Sequence, residues 1–156
     1  MATRKSLKNV KSEDIPDRFT LDGKEGEVKV VSVHDGDTCD VVFELRGRKE
    51  RFVCRLLNYN ASELKKKPIN GQLARDYLAH LVMGEDPDAD GFFDPEGIWT
   101  KEQLQEKLDK SKNLVYAVFG KFDSFGRALV TLYTDSSKNK SINAMMKKFV
   151  QKLKKR

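Results

Sequence analysis

Charged residues stand where hydrophobic runs of the sequence end, and this placement suggests a site. Asp35 and Asp37 flank a glycine between two β-rich runs. Paired carboxylates of this kind could face a hard cation such as Ca²⁺, which favours oxygen ligands. The same residues also form ordinary hairpin turns, because glycine supplies conformational freedom and aspartate bonds to the nearby backbone. Taken alone, the segment favours the plain turn.

Two further segments bring arginines and a carboxylate to similar positions. Arg55 stands in a hydrophobic run whose end is followed by Asn60 and Glu63, and Arg127 follows a glycine-containing turn that begins at Asp123. A surface arginine paired with a glutamate, and a second plain hairpin, would explain the same residues. Alternation leaves the direction of the Arg55 side chain open, since a bulge would turn it to the other face.

Five β-rich runs and three helical patterns must position these residues. Residues 27–59 contain three β-rich runs separated by turn residues, which predicts two successive hairpins in a barrel that begins near Gly26. Two more runs cover 114–119 and 128–134. Helices are predicted over 71–83, with Asn70 as a possible N-cap, over 99–110, where Thr100 and Gln103 have the spacing of a capping box, and over 142–153. The predicted class is mainly β with helices, α+β.

The chain is predicted to form one domain with two additions. Residues 1–25 are polar and charged, so we expect a basic, flexible N-terminal arm whose end can dock on the domain at 26–156. Residues 84–113 form an acidic helical insertion. Its Asp86, Asp88 and Asp90 match the opening of a calcium loop, but the position that needs a bidentate glutamate holds Gly97. An acidic solvated loop is the simpler interpretation.

The composition favours a polyanionic partner. The 156 residues carry a formal net charge of +6, an excess that suits DNA or RNA without proving either. No apolar run is long enough to cross a bilayer and the N-terminus lacks the apolar segment of a signal peptide, so no membrane association and an intracellular location are expected. Cys39 and Cys54 are predicted to be reduced core residues. No cysteine or histidine lies at ligand spacing from His34 or His80.

In this order and at these separations, the segments VHDGDT, RLLNYNASE and DSFGR resemble motifs of the staphylococcal nuclease family, also called thermonucleases. GQLARDYLAHLV resembles the first helix of that family. The resemblance covers roughly residues 26–83 and 114–150. It implies a five-stranded OB-fold barrel of the staphylococcal nuclease type with about three helices.

The resemblance also implies a set of site residues. Arg55, Glu63 and Arg127 match the catalytic residues of the family. Asp37 matches a calcium ligand, Asn60 stands where the family has a second carboxylate, and Ala61 would offer a backbone carbonyl. Because Asn60 removes one negative charge, Ca²⁺ should bind more weakly, and Mg²⁺ or Mn²⁺ could serve instead.

The predicted contacts with nucleic acid are Lys65 and Lys66, in a basic run, and Phe125, whose ring could stack on a base. The chemistry suits these residue types. Arginines neutralise the growing charge on a phosphodiester, a bound cation orients a water, and a glutamate accepts the proton of that water.

The expected function is that of a metal-dependent nuclease, a phosphodiesterase that hydrolyses DNA and/or RNA with little sequence specificity and leaves 3′-phosphates. One alternative is a non-catalytic OB module that binds single-stranded nucleic acid by stacking and charge. The other is a degenerate nuclease-like domain that serves as an interaction scaffold, which only the substitution at Asn60 supports. The presence of Arg55, Glu63 and Arg127 favours the enzyme.

Overall fold

Five strands close into a barrel. The computed structural model describes residues 4–64 and 66–156, without the side chains of Arg4, Lys5 and Glu63. In the barrel order β1-β2-β3-β5-β4, all neighbours are antiparallel except β3 and β5, which are parallel. The predicted class is confirmed, since the molecule is a mainly β, OB-like barrel with helices. The strands are β1 (Glu25–Val33), β2 (Thr38–Leu45), β3 (Arg48–Leu56), β4 (Val115–Phe122) and β5 (Ala128–Tyr133).

Alternation along the strands fills the barrel. Successive side chains of a strand point to opposite faces, so every second residue can face the interior. In β5 the buried residues are Ala128, Val130 and Leu132, and in β4 Ala117 and Phe119 follow the same period. Cys39 and Cys54 lie opposite each other on β2 and β3, and both are buried, unpaired thiols. The prediction of reduced core cysteines is confirmed.

The residues that the structure describes form four α-helices beside the barrel. The three longer ones are near their predicted positions, and the short α1 lies in the N-terminal arm. No helix within 4–64 or 66–156 has the length and apolar character needed to cross a membrane. The helices are α1 (Arg4–Lys8), α2 (Pro68–Val82), α3 (Lys101–Lys110) and α4 (Ile142–Lys154).

The two predicted helix caps have different outcomes. The capping box of α3 is confirmed: the Thr100 hydroxyl accepts from the Gln103 N–H at 3.1 Å, and the Gln103 side chain accepts from the Thr100 N–H at 2.9 Å. The prediction that Asn70 caps α2 is wrong. The helix begins earlier, at Pro68, because the fixed φ of proline suits the first helical position. The Asn70 amide instead donates to the Leu153 carbonyl in α4, at 3.4 Å.

The segment before β1 docks on the barrel at its end. Leu21 is fully buried, and the Gly23 N–H donates to the Phe119 carbonyl at 3.1 Å. The Phe119 N–H donates in turn to the Lys24 carbonyl at 2.9 Å. These bonds extend the pairing between β1 and β4 to the residues before β1. The last residues of the predicted arm therefore belong to the folded structure.

Residues 84–113, the predicted acidic insertion, pack against the barrel and α2 through an apolar face. Leu104 and Leu108 of α3 are buried, and the Phe92 ring lies 5.2 Å from the Tyr77 ring. The acidic residues have local roles. Asp88 and Asp94 each accept from the backbone N–H two residues later and so cap short 3₁₀ turns.

Candidate active site

An open cavity of about 700 Å³ lies where the β1–β2 turn, the segment after β3 and the first turns of α2 meet. Five of the predicted site residues border it. The lining residues are His34, Asp35, Gly36, Asp37, Thr38, Arg55, Asn60, Ala61, Ser62, Leu64, Pro68, Gly71, Gln72, Arg75, Lys101 and Arg127.

Of the other four predicted residues, the structure describes the side chains of Phe125 and Lys66. The Glu63 side chain and all of Lys65 lie outside the described residues. Phe125 is 82% exposed beside Arg127. Lys66 borders a different, smaller cavity between the start of α2 and the end of α4. Lys66 is therefore not part of the main cavity. To fulfil its predicted role, it would have to contact a nucleic-acid strand that extends beyond the main cavity.

Asp37 joins the β1–β2 turn to the end of β3 and to the segment that follows β3. Its side chain is buried, and one carboxylate oxygen, Oδ2, accepts from the Ala61 N–H at 2.9 Å and lies 3.4 Å from Nη2 of Arg55. The other oxygen accepts from the Thr38 hydroxyl at 3.1 Å. Its backbone carbonyl accepts from the Leu56 N–H at 2.8 Å. The turn after β1 is thereby fixed to the end of β3 and to the segment that carries Asn60.

Arg55 points into the cavity, which alternation had left undecided. It lies opposite Thr38 in the β2–β3 pair, and its side chain is 19% exposed. One terminal nitrogen faces Asp37 and the other donates to the Leu56 carbonyl. The guanidinium is thus held at the end of the strand, with part of its surface open to a ligand.

Gly36 allows the turn to approach α2 closely. A Cβ built on this glycine would lie 2.7 Å from the Ala74 Cβ and 3.1 Å from the Ala61 Cβ, distances too short for carbon atoms in contact. The Gly36 carbonyl accepts from the Tyr59 hydroxyl at 2.6 Å. Burial, and then the nearby Asp37 carboxylate, raise the pKa of that phenol well above its usual value, so Tyr59 acts as a hydrogen-bond donor.

Asp35 and Asp37 form a close pair of carboxyl groups. The Asp37 N–H donates to the Asp35 side chain at 3.0 Å. Although Asp35 as a residue is exposed, partial removal of its carboxyl group from water raises its pKa, and the adjacent Asp37 raises it further. Two like charges so close together are unfavourable, and a cation would relieve their repulsion.

Arg127 is held by the turn between β4 and β5. Gly126 adopts a φ of +83°, which permits the tight turn. Asp123 accepts from the Phe125 N–H at 2.9 Å, from the Arg127 N–H at 2.9 Å and from Nε of Arg127 at 2.8 Å. Burial opposes the ionisation of Asp123, but these hydrogen bonds outweigh it and lower the pKa of that carboxyl group. The guanidinium also lies 5.3 Å from the centre of the Phe125 ring.

Asn60 and Ala61 make contacts that differ from those expected of metal ligands. The Asn60 side-chain oxygen accepts from the Ser62 N–H at 3.0 Å and also from the Ser62 hydroxyl. Ala61 reaches Asp37 through its N–H group. Within the described ranges, there is no group of three or more His, Cys, Asp or Glu residues that could hold a metal ion. Asp35 and Asp37 would supply the carboxylate oxygens that bind a cation.

Several cavity residues were not predicted as site residues. Thr38 adjoins the Asp37 motif, so the segment itself could have suggested it. His34 hydrogen-bonds Asp40 at 2.8 Å, and Asp40 also binds Arg51. Arg75 and Lys101 come from α2 and α3 and meet the cavity only through tertiary packing, which no local pattern reveals.

Neither a protein-family model nor a curated protein matches the chain. The residues of the cavity can bind an anion through two arginines that lie beside a carboxylate pair suited to a hard cation.

Proposed function

We propose that this protein is a metal-dependent nuclease that hydrolyses phosphodiester bonds of DNA and/or RNA with little sequence specificity and leaves 3′-phosphates. One observation carries the proposal. Arg55, Arg127 and Asp37 come from three separate segments and border the same open cavity. A cavity that combines two arginines with a buried carboxylate is better suited to phosphoryl chemistry than an ordinary protein surface is.

The arginines would stabilise the charge that grows on the phosphate. Arg127 uses Nε to bind Asp123, and within the described residues its two terminal nitrogens have no hydrogen-bond partner. They can donate to two phosphate oxygens at once. Arg55, which lies 3.4 Å from Asp37, would be a second donor to the phosphate. Fixed donors of this kind reduce the reorganisation needed in the transition state.

A hard cation would be held by Asp37, with Asp35 as the nearest second carboxylate and Asn60 as a further oxygen donor. When bound, the ion would bind a phosphate oxygen and orient a water molecule. Asn60 would first have to release Ser62, to which its oxygen is now bonded. That cost, together with the missing charge of an amide, should make Ca²⁺ affinity low, and Mg²⁺ or Mn²⁺ are further candidates.

Glu63 is the proposed general base. Its place two residues after Ala61, whose N–H binds Asp37, brings its backbone near the cavity. The assignment of the side chain rests on the motif RLLNYNASE. Phe125 would stack on a base of the substrate, because its ring is exposed and lies beside Arg127. Lys65 and Lys66 would contact the backbone of a longer strand.

The test is a cleavage assay of the purified chain on plasmid DNA and on labelled DNA and RNA oligonucleotides, with Ca²⁺, Mg²⁺, Mn²⁺ or EDTA. We expect cleavage with at least one metal ion and none with EDTA, with 3′-phosphate ends on the products. Undiminished cleavage in excess EDTA would contradict the metal mechanism. No cleavage with any ion would contradict the enzyme.

A second candidate is a non-catalytic module that binds single-stranded nucleic acid. It is favoured by the hydrogen bonds that already occupy Asp37 and Asn60, because satisfied oxygens are less available to a cation. The same barrel face, with Arg127 and the exposed Phe125, could hold a strand by charge and stacking. Tight binding without cleavage in the same series of metal ions would favour this candidate.

A further inference from the structure

A second cavity opens beside the first. It has a volume of about 410 Å³ and lies between the end of β1 and the first turns of α3. The two cavities share His34, Arg75 and Lys101, whereas Arg127 borders only the first. The second cavity, here called the side groove, is therefore a continuation of the candidate active site on the side formed by α3. The residues of the side groove are Ser32, Val33, His34, Arg75, Lys101, Glu102, Leu104 and Gln105.

A buried ion pair fixes α3 at the edge of the cavity. Nε of Arg75 donates to Asp76 at 2.9 Å, and both side chains are almost fully buried in α2. The pair holds both backbone groups of Trp99: the Trp99 N–H donates to Asp76 at 2.9 Å, and Arg75 donates to the Trp99 carbonyl at 2.6 Å. Trp99 lies two residues before Lys101, so this contact determines where Lys101 emerges.

The charges at the side groove leave Lys101 available. Lys101 is exposed, and within the described residues its ammonium group has no ion-pair or hydrogen-bond partner. Asp40, the acidic partner of His34, is already paired with Arg51 at 2.8 Å. Glu102 is a remaining anion on the wall of the groove. Lys101 therefore borders both cavities, and among the described residues no carboxylate pairs with it.

We propose that the side groove binds the nucleotide next to the bond that is cleaved, with Lys101 in contact with the phosphate of that nucleotide. The inference rests on the proposed nuclease function and extends it, because it makes a single-stranded polynucleotide the preferred substrate over a dinucleotide. The volume suits a group of nucleotide size, and a lysine provides a point charge for phosphate. Residues 84–113 thus contribute a binding surface to the site.

The experiment compares Lys101→Ala, Lys101→Arg and Lys101→Glu with Lys110→Ala, which removes the same charge from the far end of α3. Binding of a labelled single strand of about twelve nucleotides and of a dinucleotide is measured in EDTA by fluorescence anisotropy over a range of salt concentrations. Circular dichroism checks that each variant is folded. Where the protein cleaves, kcat and KM are measured on both substrates.

We expect Lys101→Ala to weaken binding of the long strand by about three- to tenfold and to reduce the slope of log K against log salt by about 0.7, as loss of one phosphate contact on a single strand would do. The loss should be smaller for the dinucleotide. Lys101→Glu should weaken binding more than Lys101→Ala does, and Lys101→Arg should bind as the parent protein does. During cleavage, KM for the long strand should rise by a larger factor than kcat falls.

The outcomes separate this inference from the proposed function. If the chain cleaves nucleic acid and Lys101→Ala resembles Lys110→Ala, the side groove is wrong and the nuclease stands. If the chain binds but never cleaves, and Lys101 still governs affinity and the salt slope, the nuclease is wrong and the side groove is a nucleic-acid-binding surface without a cleavage site beside it. If the parent protein neither binds nor cleaves, both are wrong.

Discussion

The structural role of Asp37 and its proposed role as a metal ligand compete for the same oxygen. As a structural residue it accepts from Ala61 and pairs with Arg55 through Oδ2, which offsets the cost of burying its charge. As a metal ligand it would have to share that oxygen with a cation. The Arg55 contact, at 3.4 Å, is the longer of the two and is the one that a cation and a phosphate would replace. Substrate binding would then give Arg55 a new anionic partner as it loses the old one.

Arg127 should affect the reaction much more than it affects the fold. We expect Arg127→Ala to lower kcat by about a hundredfold or more, because it removes a preorganised donor to the transition state. Arg127→Lys should also be slow, since lysine keeps the charge but not the paired N–H geometry. Arg48→Ala, at the exposed β2–β3 turn, is the matched control. Wild-type turnover in folded Arg127→Ala would exclude the proposed role.

Asn60→Asp should increase Ca²⁺ affinity. The aspartate can keep the hydrogen bonds from Ser62 while it adds a negative charge at the proposed ion. The expected gain is about 1 to 3 kcal/mol, roughly five- to 150-fold in affinity. Isothermal titration calorimetry measures it, with Asn139→Asp, in an exposed turn, as a control for net charge. If both variants bind Ca²⁺ as the parent does, Asn60 does not face the ion.

At the scale of elements, the site depends on how closely the β1–β2 turn packs on α2. The turn carries Asp35 and Asp37, and the space between it and Ala74 has no room for one additional carbon atom on Gly36. Tyr59 fixes the same turn from the other side through its bond to the Gly36 carbonyl. A small outward shift of the turn would therefore move both carboxylates relative to Arg55.

Two glycine substitutions should have opposite effects on stability. Gly36→Ala should destabilise the fold by about 1 to 3 kcal/mol, because the new methyl group would overlap Ala74 and Ala61. Gly71→Ala should stabilise it by about 0.5 to 1 kcal/mol, since this position lies within α2 and its Cβ would meet open space. Urea unfolding measures both. A Gly36→Ala variant as stable as the parent would mean that the turn can move away from α2 without cost.

The elements that the sequence predicts best are those specified by neighbouring residues. The hairpins follow from alternation and turn residues, and the α3 cap follows from Thr100 and Gln103. The start of α2 was missed although proline at the first helical position, Pro68, is a local signal. The contact of Asn70 with α4, by contrast, joins residues far apart in the chain. The direction of Arg55 and the positions of Arg75 and Lys101 depend in the same way on packing between elements. The motif residues gave the centre of the cavity, and tertiary structure adds its walls.

At the scale of the whole molecule, the positive charge is only partly available to a polyanion. The formal net charge is +6, yet Lys152 of α4 pairs with Asp90 of the acidic segment at 3.1 Å, and Lys138 pairs with Glu25 at 2.8 Å. Exposed pairs of this kind contribute little to stability. The Lys152–Asp90 pair still reduces the positive field beside α4, so the formal net charge overstates the charge that this helix offers to a polyanion.

Stability of the whole fold should fall at high pH because of groups buried in and beside the barrel. Burial, and then nearby negative charges, raise the pKa of Cys39 well above its usual value and that of Cys54 to about 12. The pKa of Tyr59 is raised as well, first by burial and then by Asp37. In the unfolded chain these thiols ionise at about pH 8.5. Above that pH the unfolded state releases protons that the folded state retains.

The sign follows from proton linkage. Groups whose pKa is higher in the folded state give their full stabilisation below the unfolded pKa and lose it as pH rises towards the folded pKa. Each thiol should therefore lower the free energy of unfolding by up to about 1.4 kcal/mol per pH unit above about pH 8.5. Urea unfolding at about pH 8 and about pH 10.5 tests this range. In the double variant Cys39→Ala, Cys54→Ala, absolute stability should be lower because of the cavities, but its decline with pH should be shallower. An equally steep decline in that variant would show that other groups, and not these thiols, release the protons.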